Sequence, residues 1–455
     1  MLSNPPDIIL LTIDCWRADY LGPSEDQPSP TPHIDQIATG ALDFRQAITC
    51  GGWTRPSLTA LLSSTYASMY GGPLEQYAAE RPALSEALQR SGYRTAGFTT
   101  NPQVGRMYGF DRGFDTFIEC EPDGSIPGPR WAKIRGAQRL LCSPVVQWAL
   151  QHLSANTLPP EVTCPAEQVV EQIIKWLNQP RHQPAFVWAH FMDAHWPYHI
   201  LRTAHSPRAR AEIWQDLQMI HRITQKHGYL NPGPEKVARL KNLYRQALSY
   251  VDAQIGRLIW HLHSSRQWDN TVLVVTSDHG EEFYEHGRWS HYQLYDESLR
   301  VPLIIRIPQL QSRRVIERQV SLLDIAPTLL DLAGVSIPRE MLGHSLLRLH
   351  QEGYYPAEVA VAESMWPNAY RMAMRSEQYK FMYDNQYPDQ RLLYDLKADP
   401  RESRNIYQPD LPIARRFEEL RCAHEELARK TAVSVRPASR ADAAMTERLR
   451  ALGYL

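Results

Sequence analysis

The stretch Ile8-Ile9-Leu10-Leu11-Thr12-Ile13, closed by Asp14, is apolar, largely β-branched and free of charge. A strand with one wet face alternates apolar and polar side chains, whereas a strand covered on both faces reads as a continuous run. The stretch therefore predicts a central strand of a parallel sheet, ending where a carboxylate enters the loop. Comparable runs occupy residues 95–99, after Gly92-Tyr93, then 185–190, 271–276 and 301–307. Between them lie helix-period segments at 32–39, 82–91, 166–177 and 234–263. The last places Val237, Leu240, Leu243, Leu248, Val251, Ile255 and Leu258 mostly at helical spacing. Strands alternating with helices predict an α/β fold, a doubly wound and mostly parallel sheet flanked by helices. Ligands then bind outside the carboxyl ends of the strands. Asp14, Asn101, Asp193 and Asp278 each follow such a run and are expected to converge.

The texture divides the chain in two. Residues 1–355 carry the strand–helix alternation, with irregular connections at 105–158 and a charge-rich excursion at 200–234 that reads as a lid insertion. Residues 356–455 read as a smaller α+β subdomain, with short strands near 358–362, 371–375 and 379–383 and a helix at 413–430.

Composition narrows the function classes. The 455 residues are 43% hydrophobic with a formal net charge of -1, so bulk charge attracts no polyanion and a dedicated nucleic-acid binder is not expected. The six cysteines are scattered without a CxxC pair and read as reduced thiols rather than a disulfide framework or zinc knuckle. The first apolar run is too short for a membrane span or signal segment and lacks a basic flank. A cytoplasmic enzyme without a membrane span is the expectation.

Trp53-Thr54-Arg55-Pro56-Ser57 reads as a helix start. Thr54 is expected as the N-cap, Pro56 in the first turn, and Leu58, Leu61 and Leu62 on the apolar face. Far downstream lies Thr276-Ser277-Asp278-His279-Gly280-Glu281-Glu282. A hydroxyl at a helix N-terminus, with carboxylates and a histidine at strand ends, is the set that metal-assisted ester chemistry needs.

Taken in order, the segments of this chain resemble the sulfatase family of the alkaline phosphatase superfamily. They are Asp7 to Gly22, Thr31-Pro32-His33-Ile34-Asp35, the Thr54 segment, His190 to Tyr198, Ser277 to Glu281, Tyr295 to Pro302, Leu393 to Leu396 with Asp399 to Glu402, and Leu449 to Leu455. The resemblance implies that Asp14, Asp278 and His279 bind a divalent cation, with Thr54 supplying its hydroxyl oxygen as ligand and nucleophile. Alone, each Asp is an ordinary turn cap. Together, with a neighbouring His and a matched hydroxyl, they fit a cation that lowers a hydroxyl's pKa.

Two positions depart from the family pattern. Sulfatases commonly carry a second Asp where this chain has Cys15, which removes one hard oxygen ligand and weakens the case for calcium. A thiol can coordinate zinc, but a small buried side chain is the reading favoured here. Manganese, zinc, magnesium and calcium all stay open, as one cation or two. At the Thr54 position sulfatases carry Cys or Ser, which is oxidised to formylglycine; threonine would give a ketone instead. Leu58 also stands where the Cys-type motif has Arg. Thr54 is therefore expected to act as an unmodified alkoxide. A threonine sulfate is hard to discharge, whereas a threonine phosphate is displaced in line by water or another alcohol. The chain thus resembles the threonine-type phosphodiesterases and phosphoethanolamine transferases of the superfamily.

His291, four residues before Tyr295, stands where sulfatases usually carry a catalytic Lys. With His195 it is expected as a substrate-contacting acid or base, or as a ligand of a second cation shared with Asp193. Asn101 is either a donor to a non-bridging substrate oxygen or the start of an Asn-Pro turn. Arg288 is expected to bind substrate. The substrate class is a small-molecule or head-group ester. Sulfate-ester hydrolysis without formylglycine is the alternative, and a catalytically idle binding relative the other.

Overall fold

The computed structural model describes residues 5–72, 76–121, 163–198, 215–216, 219–220, 222–223, 228–291, 293–310, 312–366, 369–433 and 445–446. The expected lid at 200–234 and much of 105–158 lie outside the described residues, as does the 449–455 segment.

Among the described residues fifteen strands follow one another: β1 (Asp7–Ile13), β2 (Leu42–Ile48), β3 (Arg94–Thr99), β4 (Thr116–Glu119), β5 (Ala185–Phe191) and β6 (Thr271–Ser277), then a small ladder of β7 (Glu282–Phe283) and β8 (Trp289–Ser290). After it come β9 (Arg300–Arg306), β10 (Arg314–Ile316), β11 (Val320–Ser321), β12 (Ala360–Trp366), β13 (Ala369–Arg375), β14 (Tyr379–Asp384) and β15 (Arg391–Asp395). The main sheet has the order β10-β2-β9-β6-β1-β5-β3-β4, with β11 beside β2. β1 lies at its centre, parallel to β5 and β6. β9 is antiparallel to both its neighbours, so the sheet is mixed but mainly parallel.

Nine helices pack around the strands among the described residues: α1 (Pro32–Ala38), α2 (Thr54–Ser63), α3 (Leu84–Arg90), α4 (Ala166–Leu177), α5 (Pro234–Ser264), α6 (Asp296–Leu299), α7 (Ile325–Leu332), α8 (Leu346–Glu352) and α9 (Pro412–Lys430). The alternation along β1 explains its continuous apolar run. Ile9, Leu11 and Ile13 enter one core with residues of α1, α4 and α5, while Ile8 and Leu10 enter the other with residues of α2, α3 and α7. Every β1 side chain is thus covered, which forces the run without alternation.

β12 to β15 form a separate four-stranded antiparallel sheet. α9 covers it, with Phe417 stacked on Phe381 at a ring-centroid distance of 5.7 Å. The strand expected at 358–362 spans Ala360–Trp366, and β15 adds a fourth strand over Arg391–Asp395. This sheet grips the loop in front of α2. Glu363 N donates to Cys50 O at 2.9 Å, and Gly52 N donates to Glu363 O at 3.2 Å. Trp366 stacks on Trp53 with centroids 4.8 Å apart. Gly51 is required there, since a Cβ would stand 2.6 Å from Ser57 N.

Candidate active site

Four loops leave the carboxyl edge of the main sheet and α2 points its first turn at them. Trp53, not Thr54, is the N-cap: its backbone is extended (φ -158°, ψ 171°) and no side chain caps the helix. The expected cap at Thr54 is therefore corrected by one residue. A hydroxyl inside the first turn points away from its own amides, and Thr54 Oγ1 turns instead to neighbouring loops. It lies 3.4 Å from His279 Nε2 and 3.5 Å from Asp14 Oδ2, and accepts from Asn101 Nδ2 at 3.4 Å.

Asp14 follows β1 and is fully buried. Its Oδ2 faces His190 Nε2 at 3.2 Å and accepts from Asn101 Nδ2 at 3.2 Å. Burial alone would raise its pKa, but the charges of His195, His190 and His279 outweigh it and hold the carboxylate well below the usual range. Asp278, one residue past β6, moves the other way: burial and the nearby Asp14 charge raise it. Its Oδ1 accepts from His279 N at 2.9 Å and Cys15 N at 3.3 Å. Its buried Oδ2 accepts no hydrogen bond among the described residues.

His279 Nδ1 lies 2.9 Å from Gly280 O. A carbonyl brings no hydrogen, so Nδ1 carries a proton; despite burial, the charges of Asp278 and Asp14 raise the pKa of the ring. Nε2 faces Asp14 Oδ1 at 3.5 Å and Asp278 Oδ2 at 3.4 Å, and would offer its lone pair to a cation that displaces its proton. Two carboxylates, an imidazole nitrogen and a hydroxyl thus converge on one point, with an orphaned buried oxygen among them. The set fits a divalent cation with mixed oxygen and nitrogen ligands, the imidazole tied from behind by a carbonyl.

Gly280 holds this loop close to α6. Gly280 N donates to Ser298 O at 2.8 Å and Glu281 N to Glu297 O at 3.1 Å. A Cβ at Gly280 would collide with the Glu297 carbonyl oxygen. Gly280→Ala is expected to shift Asp278 and His279 and to lower kcat/KM by about 10²-fold, with circular dichroism unchanged. Wild-type kinetics in this variant would show that the loop does not position the two ligands.

Asn101 starts the expected Asn-Pro turn. Its Oδ1 accepts from Gln103 N at 2.8 Å, closing the Asn-Pro turn, while Nδ2 reaches Asp14 and Thr54. Asp193 is placed elsewhere. Its Oδ1 accepts from Ala166 N at 3.0 Å at the start of α4, and it does not group with His195 and His291 among the described residues. The carboxylate serves an unsatisfied helix amide instead. Arg288 stacks on exposed Tyr229 at 4.5 Å, and its charge is felt at His291.

His195 and His291 do come together, ring centroids 5.4 Å apart, and His291 lies 4.4 Å from His279 by the same measure. Burial pushes His195 down to about 4 and His291 well below its ordinary value. Burial thus disfavours the charged form of both imidazoles.

Cys15 is the small buried side chain expected, but in polar surroundings. It is buried, but at φ 62° its Sγ points among polar groups, 3.1 Å from Asp14 Oδ1 and 3.7 Å from His291 Nδ1. Tyr244 of α5 fixes this turn: its hydroxyl donates to Cys15 O at 2.8 Å and accepts from Arg17 N at 2.9 Å. Burial and the carboxylates of Asp14, Glu281 and Asp278 push the thiol up. The available signal was the position itself, directly after Asp14. Glu281 is fully buried too, 3.6 Å from His291 Nδ1, and burial pushes it up to about 7.

A mainly parallel sheet with carboxylates, imidazoles and a hydroxyl gathered at its carboxyl edge, plus a small C-terminal antiparallel sheet, defines an alkaline-phosphatase-like protein. A family profile described as Sulfatase matches residues 6–335, and one described as N-sulphoglucosamine sulphohydrolase, C-terminal, matches residues 284–427. The chain belongs to the sulfatase family and is a sulfatase-like hydrolase. It is 26% identical to the choline-sulfatase of Rhizobium meliloti over 471 residues, covering 94% of this chain and 88% of that one. It is 30% identical to arylsulfatase K of Bos taurus over 437 residues, covering 89% and 78%. Its fold is similar to the phosphonate monoester hydrolase of Agrobacterium radiobacter, with a TM-score of 0.68 at 20% identity, covering 93% and 96%. Among the described residues, no helix is long and apolar enough to cross a membrane.

Proposed function

We propose that this chain cleaves a phosphate or phosphonate ester, with Thr54 Oγ1 attacking phosphorus and the alcohol leaving, after which the phosphorus group on Thr54 passes to water or to an acceptor alcohol. The carrying observation is a native threonine hydroxyl, within 3.5 Å of Asp14, His279 and Asn101, in a family whose sulfate chemistry uses an oxidised Cys or Ser. Asp14, Asp278, His279 and Thr54 would hold a divalent cation, which when bound lowers the hydroxyl's pKa and neutralises charge on the transferred group.

The chain's own groups account for the rest. His279 and Asp14 stand within reach of the Thr54 proton, and Asn101 Nδ2 donates toward the same oxygen, where negative charge develops. His190, backed by Thr12 at 2.9 Å, keeps Asp14 oriented. The sheet-edge bonds from Glu363 fix the loop that carries Thr54. In the first half-reaction the Thr54 O–P bond forms and the ester P–O bond to the alcohol breaks. In the second, water or an alcohol displaces Thr54 oxygen from phosphorus and restores the hydroxyl. The likeness to a phosphonate monoester hydrolase agrees with phosphorus as the centre attacked.

Sulfate-ester cleavage is the second reading, favoured by relatives named as sulfatases. The test is a panel of aryl phosphate monoesters, phosphate diesters, phosphonate monoesters and sulfates, with acid-quenched enzyme analysed by mass spectrometry. The expected result is turnover of a phosphorus ester and a phosphoryl adduct on the peptide containing Thr54. Sulfate turnover far above every phosphorus ester would overturn the proposal.

A further inference from the structure

We infer that Cys15, His195 and His291 form a second cation site beside the first, selective for a zinc-class ion held through a thiolate. The ligand atoms of these three buried residues all lie within 4.8 Å of one another. They come from the loops after β1, β5 and β8, so the fold and not local sequence assembles them. Cys15 Sγ is 3.7 Å from His291 Nδ1 and 3.1 Å from Asp14 Oδ1, which places it between this group and the Asp14–Asp278–His279 set.

The imidazole of His195 is oriented for ligation. Its Nδ1 lies 2.6 Å from Trp196 O, so Nδ1 carries the proton and Nε2 is the nitrogen that can accept a cation. Glu281 adds an independent observation. It is fully buried, Oε1 lies 3.6 Å from His291 Nδ1, and the weakly donating Cys15 thiol is a hydrogen-bond neighbour of its carboxylate. A buried carboxylate in that condition asks for a positive partner on the His291 side.

The donor chemistry selects the ion. One thiolate and two imidazoles suit zinc, and cobalt as its spectroscopic substitute. Calcium and magnesium require oxygen ligands. Binding forms the sulfur–metal bond and releases the Cys15 thiol proton to solvent. Two neighbouring cations can stabilise both the attacking and the leaving oxygen of an in-line displacement. The assignment holds whichever ester is cleaved.

The test uses the full chain carrying Cys422→Ser, which removes the thiol exposed among the described residues, and Cys142→Ser, stripped of metal under reducing conditions. Titration with cobalt(II) is expected to give a sulfur-to-cobalt charge-transfer band, with two zinc ions per chain on elemental analysis after zinc loading. Cys15→Ser and, separately, His291→Ala should lose the band or sharply weaken it and bind one zinc. His291→Ala leaves the Cys15 turn intact if Cys15→Ser fails to fold. A single zinc in the parent protein, or a band that survives Cys15→Ser, would overturn the second site while leaving the Thr54 reading standing.

Discussion

Thr54→Ala is expected to lower kcat on the best phosphorus ester by about 10³-fold or more, because the atom that attacks is gone while its surroundings remain. Asp14, His279 and Asn101 all touch Thr54 Oγ1, and each keeps other partners, so the pocket should persist. The loss should fall on kcat, with KM changed little. Stability separates this outcome from misfolding. Because Trp53 is the N-cap and Thr54 makes no cap bond, removing the hydroxyl does not uncap α2. The expected destabilisation is about 1 kcal/mol, the ordinary scale for a buried small-residue change. Thr54→Ser keeps an alkoxide of similar reach and should retain activity within about tenfold of wild type. Wild-type kcat in Thr54→Ala would end the covalent mechanism; loss in Thr54→Ser equal to that in Thr54→Ala would show that a hydroxyl at this position is not sufficient and would assign the effect to the threonine methyl.

The elements legible in the sequence are those whose cause is local. The unbroken run at 8–13 reads as a doubly covered strand because Ile9, Leu11 and Ile13 go to one core and Ile8 and Leu10 to the other. Asp14, Asn101 and Asp278 were placed by a rule of topology, since each follows a parallel strand. Asp193 follows one too, yet its carboxylate is drawn to the amide of Ala166. Nothing within a few residues of Asp193 announces that helix end. The polar surroundings of buried Cys15 have a related cause. Residue type suggested a core position, while the left-handed turn that aims Sγ at Asp14 and His291 depends on Tyr244, far away on α5. The clamp of Glu363 on Cys50 and Gly52 is likewise a pairing between distant backbones, which periodicity cannot carry.

Lys380→Met is expected to destabilise the fold by about 3–5 kcal/mol, because it leaves buried carboxylates without their partner. Lys380 is fully buried, with Nζ 2.8 Å from Glu402 Oε1 and 3.0 Å from Asp296 Oδ1. Asp296 retains Arg375 at 2.9 Å, so the unpaired charge falls chiefly on Glu402, itself buried. Adding Glu402→Gln should recover part of the loss, since it removes that charge. Urea unfolding of the wild type, both single variants and the pair measures the coupling. The effect should reach the active site through α6. Asp296 opens this helix, and Ser298 O and Glu297 O accept the amides of Gly280 and Glu281, next to His279. Loosening Asp296 frees the loop that aligns Asp278 and His279. The variant should therefore bind zinc more weakly even under conditions where it is fully folded. A wild-type urea midpoint for Lys380→Met would remove the buried cluster from the account of stability. A large loss of stability with wild-type zinc affinity would instead confine its role to holding the small sheet against the main one.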